Sequence, residues 1–122
     1  MKFYRCPICG NIITIIDGDI KRIRCCGREM EELVANSVDA SVEKHVPIIE
    51  KKGNNIKVIV GSTIHPMEEK HYIEWIAIVK DNEISLKKLE PNMDPIVELP
   101  YINNSIVYAY CNIHGLWKTN LD

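Results

Sequence analysis

The sequence lacks the features that mark several large classes of protein. No apolar stretch approaches the roughly 18 residues of a membrane-spanning helix, because charged side chains interrupt every hydrophobic run. The 15 basic residues are outnumbered by 17 acidic ones, and the net charge of -2 supplies no broad positive field for nucleic acid or an anionic membrane. The first residues, Met1–Cys6, contain no apolar core of the signal-peptide kind, which predicts a cytoplasmic protein.

The residues that are present indicate a folded, metal-binding protein. Of the 122 residues, 46% are hydrophobic and 26% are charged, so a globular chain is expected and a disordered tail is not. Five cysteines in a chain expected to be intracellular are more consistent with thiols or metal ligands than with disulfides. An odd number of cysteines also cannot pair completely. The five cysteines and four histidines are therefore the informative residues.

Residues 1–36 carry four of the five cysteines and little that could form a hydrophobic core. A unit of this size buries too little apolar surface to fold alone, so a metal ion is expected to hold it together. Cys6 and Cys9 have the spacing of a metal-binding knuckle. Cys25 and Cys26 supply a second pair, although adjacent cysteines must splay apart to reach one ion.

Four thiolates predict a tetrahedral sulfur site that suits both zinc and iron. A zinc ribbon that only holds the fold is the alternative to an iron centre. A redox dithiol of the thioredoxin type is not favoured, because no strand–helix–strand pattern surrounds the motif.

Residues 37–122 show a succession of strand-like segments, which follow a linker or crossover predicted at Ala35–Ser41. The only helical turn expected in the chain lies at Met30–Val34, and Pro91, Pro95 and Pro100 discourage helix near the C-terminus. Short strands bounded by turns predict an all-β chain with a β-sandwich. Two predicted strands, Val46–Lys52 and Ile56–Val60, are joined as a hairpin by Gly53–Asn55. The others are Tyr72–Val79, which ends at Asp81-Asn82, then Glu83–Leu89 and finally Ser105–Cys111.

A second set of metal ligands lies in this part of the chain: His45, His65, His71, Cys111 and His114. Taken singly, each histidine is more simply interpreted as a surface or buried structural residue. Taken together, all four lie outside strands or at strand ends, beside a cysteine that has no other explanation.

Four imidazoles and one thiolate exceed a closed tetrahedral zinc site. Five protein ligands suit an ion that takes five or six, which leaves one position open to a small molecule, and iron fits best. Copper is the competitor, but a type-1 copper site uses two histidines, one cysteine and usually an axial methionine. No methionine follows His114.

Five motifs then stand in the order found in the desulfoferrodoxin family, which the chain resembles over nearly its whole length. The N-terminal part resembles desulforedoxin, a rubredoxin-like metal domain. The motifs are Cys6–Gly10 (CxxCG), Cys25–Gly27 (CCG), Glu43–Pro47 (EKHVP), His65–Trp75 (HPMEEKHYIEW) and Cys111–Trp117 (CNxHGxW).

The resemblance implies a domain organisation and two iron ions per chain. Residues 1–36 would form a desulforedoxin-like domain with an Fe(Cys)4 centre, and residues 37–122 an immunoglobulin-like β-sandwich with an Fe(His)4(Cys) centre. The first iron would take the four N-terminal cysteines. The second would take the four histidines as equatorial ligands and Cys111 as the axial ligand.

The resemblance also implies an activity, superoxide reductase, which reduces superoxide to hydrogen peroxide without releasing dioxygen. Glu43 resembles the family glutamate that occupies the sixth position of the oxidised iron. From its charge beside His45, we expect Lys44 to attract superoxide and to help to deliver a proton. A homodimer and a small electron donor such as rubredoxin are expected, with no nucleic acid or membrane partner. A non-catalytic iron electron-transfer protein and a zinc-stapled interaction module are the alternatives.

Overall fold

The computed structural model describes residues 1–81 and 83–122, and these form mainly β-strands joined by short turns. The helical elements are α1 (Val42–His45) and a 3-10 turn at Ile20–Arg22. The strands are β1 (Phe3–Arg5), β2 (Ile12–Thr14), β3 (Arg24–Cys25), β4 (Arg28–Glu29), β5 (Glu31–Leu33), β6 (Pro47–Lys52), β7 (Asn55–Val60), β8 (Ile73–Lys80), β9 (Glu83–Lys88), β10 (Ile96–Pro100), β11 (Ser105–Cys111) and β12 (Gly115–Leu121).

The chain divides into two units, Met1–Val34 and Ala35–Asp122. The all-β prediction is confirmed. The expected end of the Tyr72–Val79 strand at Asp81-Asn82 includes Asn82, which lies outside the described residues. No helix in the described part of the chain is long and apolar enough to cross a membrane.

The first unit contains a three-stranded antiparallel sheet and a small hairpin. In the sheet, β1 lies between β2 and β5, and β3 pairs with β4 in the hairpin. The helical turn expected at Met30–Val34 was wrong, because β5 pairs with β1 from Phe3 opposite Leu33 to Arg5 opposite Glu31. Pairing with an available strand edge outweighs the local preference of so short a segment.

The second unit is a β-sandwich, as expected. One sheet has the order β10-β7-β6 and the other the order β12-β11-β8-β9, with antiparallel pairing throughout. Strands from both sheets contribute the buried core between them. The core residues are Ile56, Val58, Val60, Ile73, Ile76, Ile78, Leu89, Val97, Leu99, Val107, Ala109 and Cys111.

Two strands of the sandwich were not predicted. Strand β10 follows Pro95 and ends at Pro100, and it lies at a sheet edge, where a missing N–H donor is tolerated. Strand β12 begins at Gly115, and its pairing with β11 from Ser105 opposite Leu121 to Cys111 opposite Gly115 forms the closing hairpin. The predicted β6–β7 hairpin is present, with Gly53 at φ 60° in its turn.

The segment predicted as a linker or crossover contains no strand or helix between β5 and α1, but it is anchored within the second unit. Asn36 donates its backbone N–H to the Leu116 carbonyl at 2.9 Å, and its Oδ1 accepts the Lys118 N–H, also at 2.9 Å. Asn36 thereby supplies the edge of β12 with the partners that another strand would offer. The chain is fixed just before α1, where the first histidine of the second set lies.

Candidate metal centres

The four N-terminal cysteines converge in the first unit and form what we call the four-cysteine cluster. Their sulfur atoms all lie within 4.8 Å of one another, and those of Cys9 and Cys25 are 3.4 Å apart. A tetrahedral site with metal–sulfur bonds of about 2.3 Å has sulfur–sulfur edges of about 3.8 Å. The cluster therefore has the size and donor set of a tetrahedral thiolate centre, which suits iron.

The first pair of cysteines forms a knuckle around the sulfur of Cys6. The backbone N–H groups of Ile8 and Cys9 point to Cys6 Sγ at 3.4 and 3.5 Å, and Gly10, at φ 78°, returns its N–H to the Cys6 carbonyl. The donation from Cys9 is the main reason why the pKa of Cys6 falls to about 6. Cys6 is therefore ready to act as a thiolate ligand near neutral pH.

The second pair reaches the cluster through a tight turn. Cys25 ends β3, and Cys26 and Gly27 form the two-residue loop to β4 with φ angles of 53° and 72°. Two successive positive φ angles are typical of a type I′ hairpin turn. With this turn, the sulfurs of the adjacent Cys25 and Cys26 both reach the cluster, as one shared ion requires.

Crowding of the sulfurs also favours a cation at the centre of the cluster. The pKa of Cys25 rises to about 12, mainly because of its hydrogen bond with Cys9. The pKa of Cys26 is also raised, again chiefly by a hydrogen bond with Cys9. Several thiolates this close together would repel one another, so without a metal the sulfurs keep and share protons. A metal ion would take the place of the shared protons.

The second set of ligands also converges, and we call its five members the histidine–cysteine cluster. The imidazole rings of the four histidines form the corners of a rough square. Neighbouring ring centroids are 4.7 Å apart for His45–His65 and His65–His71, 5.0 Å for His71–His114 and 4.8 Å for His45–His114. The diagonal from His45 to His71 is 6.4 Å.

Two of the rings are oriented by carbonyl groups of the backbone. His45 Nδ1 lies 2.6 Å from the Ser41 carbonyl oxygen, and His65 Nδ1 lies 2.6 Å from that of Pro66. Since a carbonyl can only accept, each Nδ1 must carry the proton, and each Nε2 must present a lone pair.

These lone pairs point at one another. The Nε2 atoms of His45 and His65 are 3.2 Å apart, and His45 Nε2 is 3.1 Å from His114 Nδ1. His71 Nε2 is buried and has no hydrogen-bond partner among the described residues. A square of nitrogens with metal–nitrogen bonds of about 2.1 Å has edges of about 3.0 Å. The arrangement fits a metal ion, because a cation turns the repulsion between lone pairs into attraction.

Cys111 completes the cluster. Its sulfur lies within 4.8 Å of the ligand atoms of His45, His71 and His114, and it accepts the His114 backbone N–H at 3.4 Å. Burial raises the pKa of the Cys111 thiol. A nearby cation would reverse that effect by favouring the thiolate. Four nitrogens and one sulfur suit iron in five or six coordination.

Burial keeps three of the histidines neutral. His45 and His65 are 2% and 1% exposed. Desolvation is the largest cause of their lowered pKa values, and it brings that of His65 to about 4. The pKa of His71 is also lowered, chiefly by desolvation. Neutral imidazole is the form that binds a metal.

Trp117 supports two of the ligands at once. Its ring stacks on His45 with centroids 4.9 Å apart and an interplanar angle of 25°, and its Nε1 donates to the His114 carbonyl at 3.1 Å. The side chain is 2% exposed. Trp117 therefore packs against one ligand ring and holds the backbone of another ligand.

Gly61 packs closely against the backbone of the segment that carries His45, a role that the sequence analysis missed. Its φ angle is 85°, and a Cβ atom there would lie 2.4 Å from the Thr63 carbonyl oxygen and 2.7 Å from those of Glu43 and Lys44. Its importance lies in its positive φ angle, which the amino-acid sequence does not show. Asn112 was missed as well; its contacts are described below.

Glu43 and Lys44 lie on α1, directly before His45, and both are exposed. The pKa of the Glu43 carboxyl is lowered, chiefly because its own backbone N–H donates to it. The positive charge of Lys44 adds to the effect of burial in lowering the pKa values of His45 and His71. The Lys44 ammonium therefore lies within electrostatic range of the histidine–cysteine cluster.

Comparison with known proteins agrees with these two clusters. A family model described as desulfoferrodoxin matches residues 37–120, and one described as the desulfoferrodoxin N-terminal domain matches residues 1–33. The chain belongs to the desulfoferrodoxin family. The resemblance inferred from the five motifs is confirmed. Desulfoferrodoxins carry two iron centres, in keeping with the four-cysteine and histidine–cysteine clusters.

Individual relatives match over nearly the full length. A desulfoferrodoxin homolog from Archaeoglobus fulgidus is 42% identical over 98% of this chain and 96% of its own. A desulfoferrodoxin from Desulfarculus baarsii is 44% identical over 97% of this chain and 94% of its own. The crystal structure of the superoxide reductase from Treponema pallidum superposes with a TM-score of 0.75, at 31% identity and 97% coverage of both chains.

Removing the metals with a chelator under reducing conditions is expected to unfold the first unit and to leave the second largely folded. Residues 1–34, all of them described, have Phe3 and Cys6 as their buried hydrophobic residues, whereas the second unit has a sandwich core. Metal binding therefore supplies most of the folding free energy of the first unit alone. Hydrogen–deuterium exchange with mass spectrometry should show protection lost in residues 1–34 only, and equal loss in both units would contradict this.

Gly61→Ala is expected to destabilise the second unit more than Gly53→Ala. Both glycines have positive φ, which costs an alanine about 1–2 kcal/mol, but a Cβ at Gly53 meets nothing within 4 Å. The extra loss at Gly61 comes from the collision with three carbonyl oxygens. Denaturant unfolding followed by fluorescence of Trp75 and Trp117 measures both, since both tryptophans lie in this unit. Equal destabilisation by the two substitutions would show that the collision is relieved without cost.

Proposed function

We propose that this chain is a superoxide reductase, which converts superoxide, one electron and two protons into hydrogen peroxide without releasing dioxygen. The observation that carries the proposal is the histidine–cysteine cluster, whose five donors leave an ion of six coordination with one further position for a small ligand. Similarity to the reductase from Treponema pallidum over almost the whole chain supports it.

His45, His65, His71, His114 and Cys111 would hold the catalytic iron. Bound there, the iron supplies the one-electron redox couple that the reduction of superoxide requires. The lowered pKa values keep the buried imidazoles neutral, so the Cys111 thiolate is the one anionic ligand of the set. With a divalent ion the cluster then carries a net charge of about +1, which favours an anionic substrate.

Lys44 is proposed to attract superoxide and to supply a proton, directly or through water. Its ammonium is exposed, and its charge already acts on His45 and His71. The net charge of the chain is -2, so any attraction of an anion must come from local groups such as this one. Glu43, next to it on α1, is proposed as the carboxylate that occupies the open position of the oxidised site.

Residues 1–36 are proposed to form the domain of the first iron, held by Cys6, Cys9, Cys25 and Cys26, and residues 37–122 the catalytic domain. The exposure of Cys9 and Cys26 supports exchange of electrons with a small carrier, for which rubredoxin is the proposed type. We further propose a homodimer that works in the cytoplasm.

The test begins with the metal content and visible spectrum of the purified protein, before and after a mild oxidant. About two irons per chain, a red rubredoxin-like absorption and a second thiolate-to-iron band after oxidation are expected. A separate sample of the protein, kept reduced by an added electron donor, should convert superoxide to peroxide without oxygen release, with one electron consumed per superoxide. Both bands without consumption of superoxide would indicate an electron-transfer protein, and colourless protein with zinc alone would contradict the proposal.

Lys44→Ala is expected to slow the reaction with superoxide by roughly 10-fold at low ionic strength and to weaken its dependence on salt, because local steering of an anion is screened by ions. The rate is measured by pulse radiolysis over a range of salt concentrations. Lys87→Ala, at an exposed lysine of β9, is the matched control for the loss of one positive charge. Equal effects of the two substitutions would remove Lys44 from the mechanism.

A further inference from the structure

Asn112 ties the turn that carries Cys111 and His114 to the segment that carries His71. We infer that Asn112 is a positioning residue, which sets the place of the His71 ring relative to the other ligands of the histidine–cysteine cluster. The inference rests on the proposed function and deepens it, because it assigns a role at the same site to a residue that does not bind the metal.

Three hydrogen bonds of Asn112 bracket His71. The Asn112 backbone N–H donates to the Tyr72 carbonyl at 3.2 Å, and its Oδ1 accepts the Tyr72 N–H at 3.0 Å. Its Nδ2 donates to the Lys70 carbonyl at 3.1 Å. The residues immediately before and after His71 are thus both held by one side chain.

The turn itself is held rigid by the ligand beside it. Cys111 ends β11 opposite Gly115, and its sulfur accepts the His114 backbone N–H at 3.4 Å. The pairing of β11 with β8 shifts register between Tyr110 and Cys111. Such a bulge re-aims the residues that follow it. Asn112 directly follows this bulge, and its side chain bonds the segment before β8.

Asparagine meets the chemical requirement of this position in a way that similar side chains do not. The side chain must accept from one backbone N–H and donate to one carbonyl, and both groups stand on a stem of a single carbon. Aspartate of the same length accepts but, when ionised, does not donate. The two backbone partners also fix which end of the amide is oxygen and which is nitrogen.

The rings of His45 and His65 depend on Asn112 less. His45 and His65 are oriented by the carbonyls of Ser41 and Pro66 on their own segments. His71 has a local bridge with Glu68, in which each backbone N–H donates to the other's carbonyl, but this bridge lies within the same loop. It therefore shapes the loop without tying it to the turn of Cys111.

The test compares iron-loaded full-length proteins carrying Asn112→Ala or Asn112→Asp with the native chain. Loss of the side-chain amide is expected to shift the thiolate-to-iron band of the oxidised histidine–cysteine centre and to speed loss of that iron to a chelator by roughly 10–100-fold. The red absorption of the four-cysteine centre should not change, so it serves as an internal reference. Asn112→Asp keeps the acceptor for Tyr72 and is expected between the native protein and the alanine variant.

Asn103→Ala is the matched control, since Asn103 is an exposed asparagine of the same unit that accepts from Lys80 Nζ at 3.1 Å. An Asn112→Ala protein with the native band and the native rate of iron loss would overturn the inference. If that variant does not purify in folded form, the same criterion is applied to Asn112→Asp. Native protein with both bands but no reaction with superoxide would contradict the proposed function and leave the comparison of band and iron loss valid.

Discussion

The nitrogen lone pairs of His45 and His65 face each other at 3.2 Å and repel unless a cation lies between them, and this constraint governs the second unit. The protons of His45 and His65 are committed to the carbonyls of Ser41 and Pro66, so neither ring can relieve the repulsion by turning its N–H inward. Without a metal the arrangement costs free energy, and the sandwich must supply it. Burial of a core drawn from both sheets is the available source.

The two clusters show two ways in which a chain can build a metal site. In the first unit the metal contributes to folding, because so few hydrophobic residues are buried there that the sheet and hairpin need a common ligand. In the second unit the ligands extend from α1, from the segment between β7 and β8, and from the turn between β11 and β12. The core fixes these segments in advance, so the metal meets a site that is already shaped. Rigid placement of this kind suits catalysis, in which one position must stay open while five are filled.

Electrostatics follow from the same placement. Burial lowers the pKa values of His45, His65 and His71 and keeps these imidazoles neutral, while Lys44 lies exposed to solvent on a short helical turn. With a divalent ion bound, neutral imidazoles, one buried thiolate and one exposed cation favour the approach of a small anion. A chain that is acidic overall can provide this field at short range only.

The sequence by itself determined the chemistry of both sites. The types and spacing of nine cysteines and histidines indicated a sulfur site and a nitrogen–sulfur site, and strand patterns indicated a β-sandwich. Ligand identity is local information, since thiolate and imidazole bind metals whatever surrounds them. Edge strands such as β5, β10 and β12 escaped prediction, because a short strand is decided by whether a neighbour's edge is free to pair.

Only the tertiary structure decided which atoms meet. His45 and His114 are 69 positions apart in the chain, and their nitrogens are 3.1 Å apart in the fold. The seat that Gly61 provides and the bridge that Asn112 makes depend on a backbone angle and on hydrogen bonds across 40 residues. Residues of this kind carry no ligand chemistry of their own. Their role exists only where the packed sheets bring distant segments within hydrogen-bonding distance.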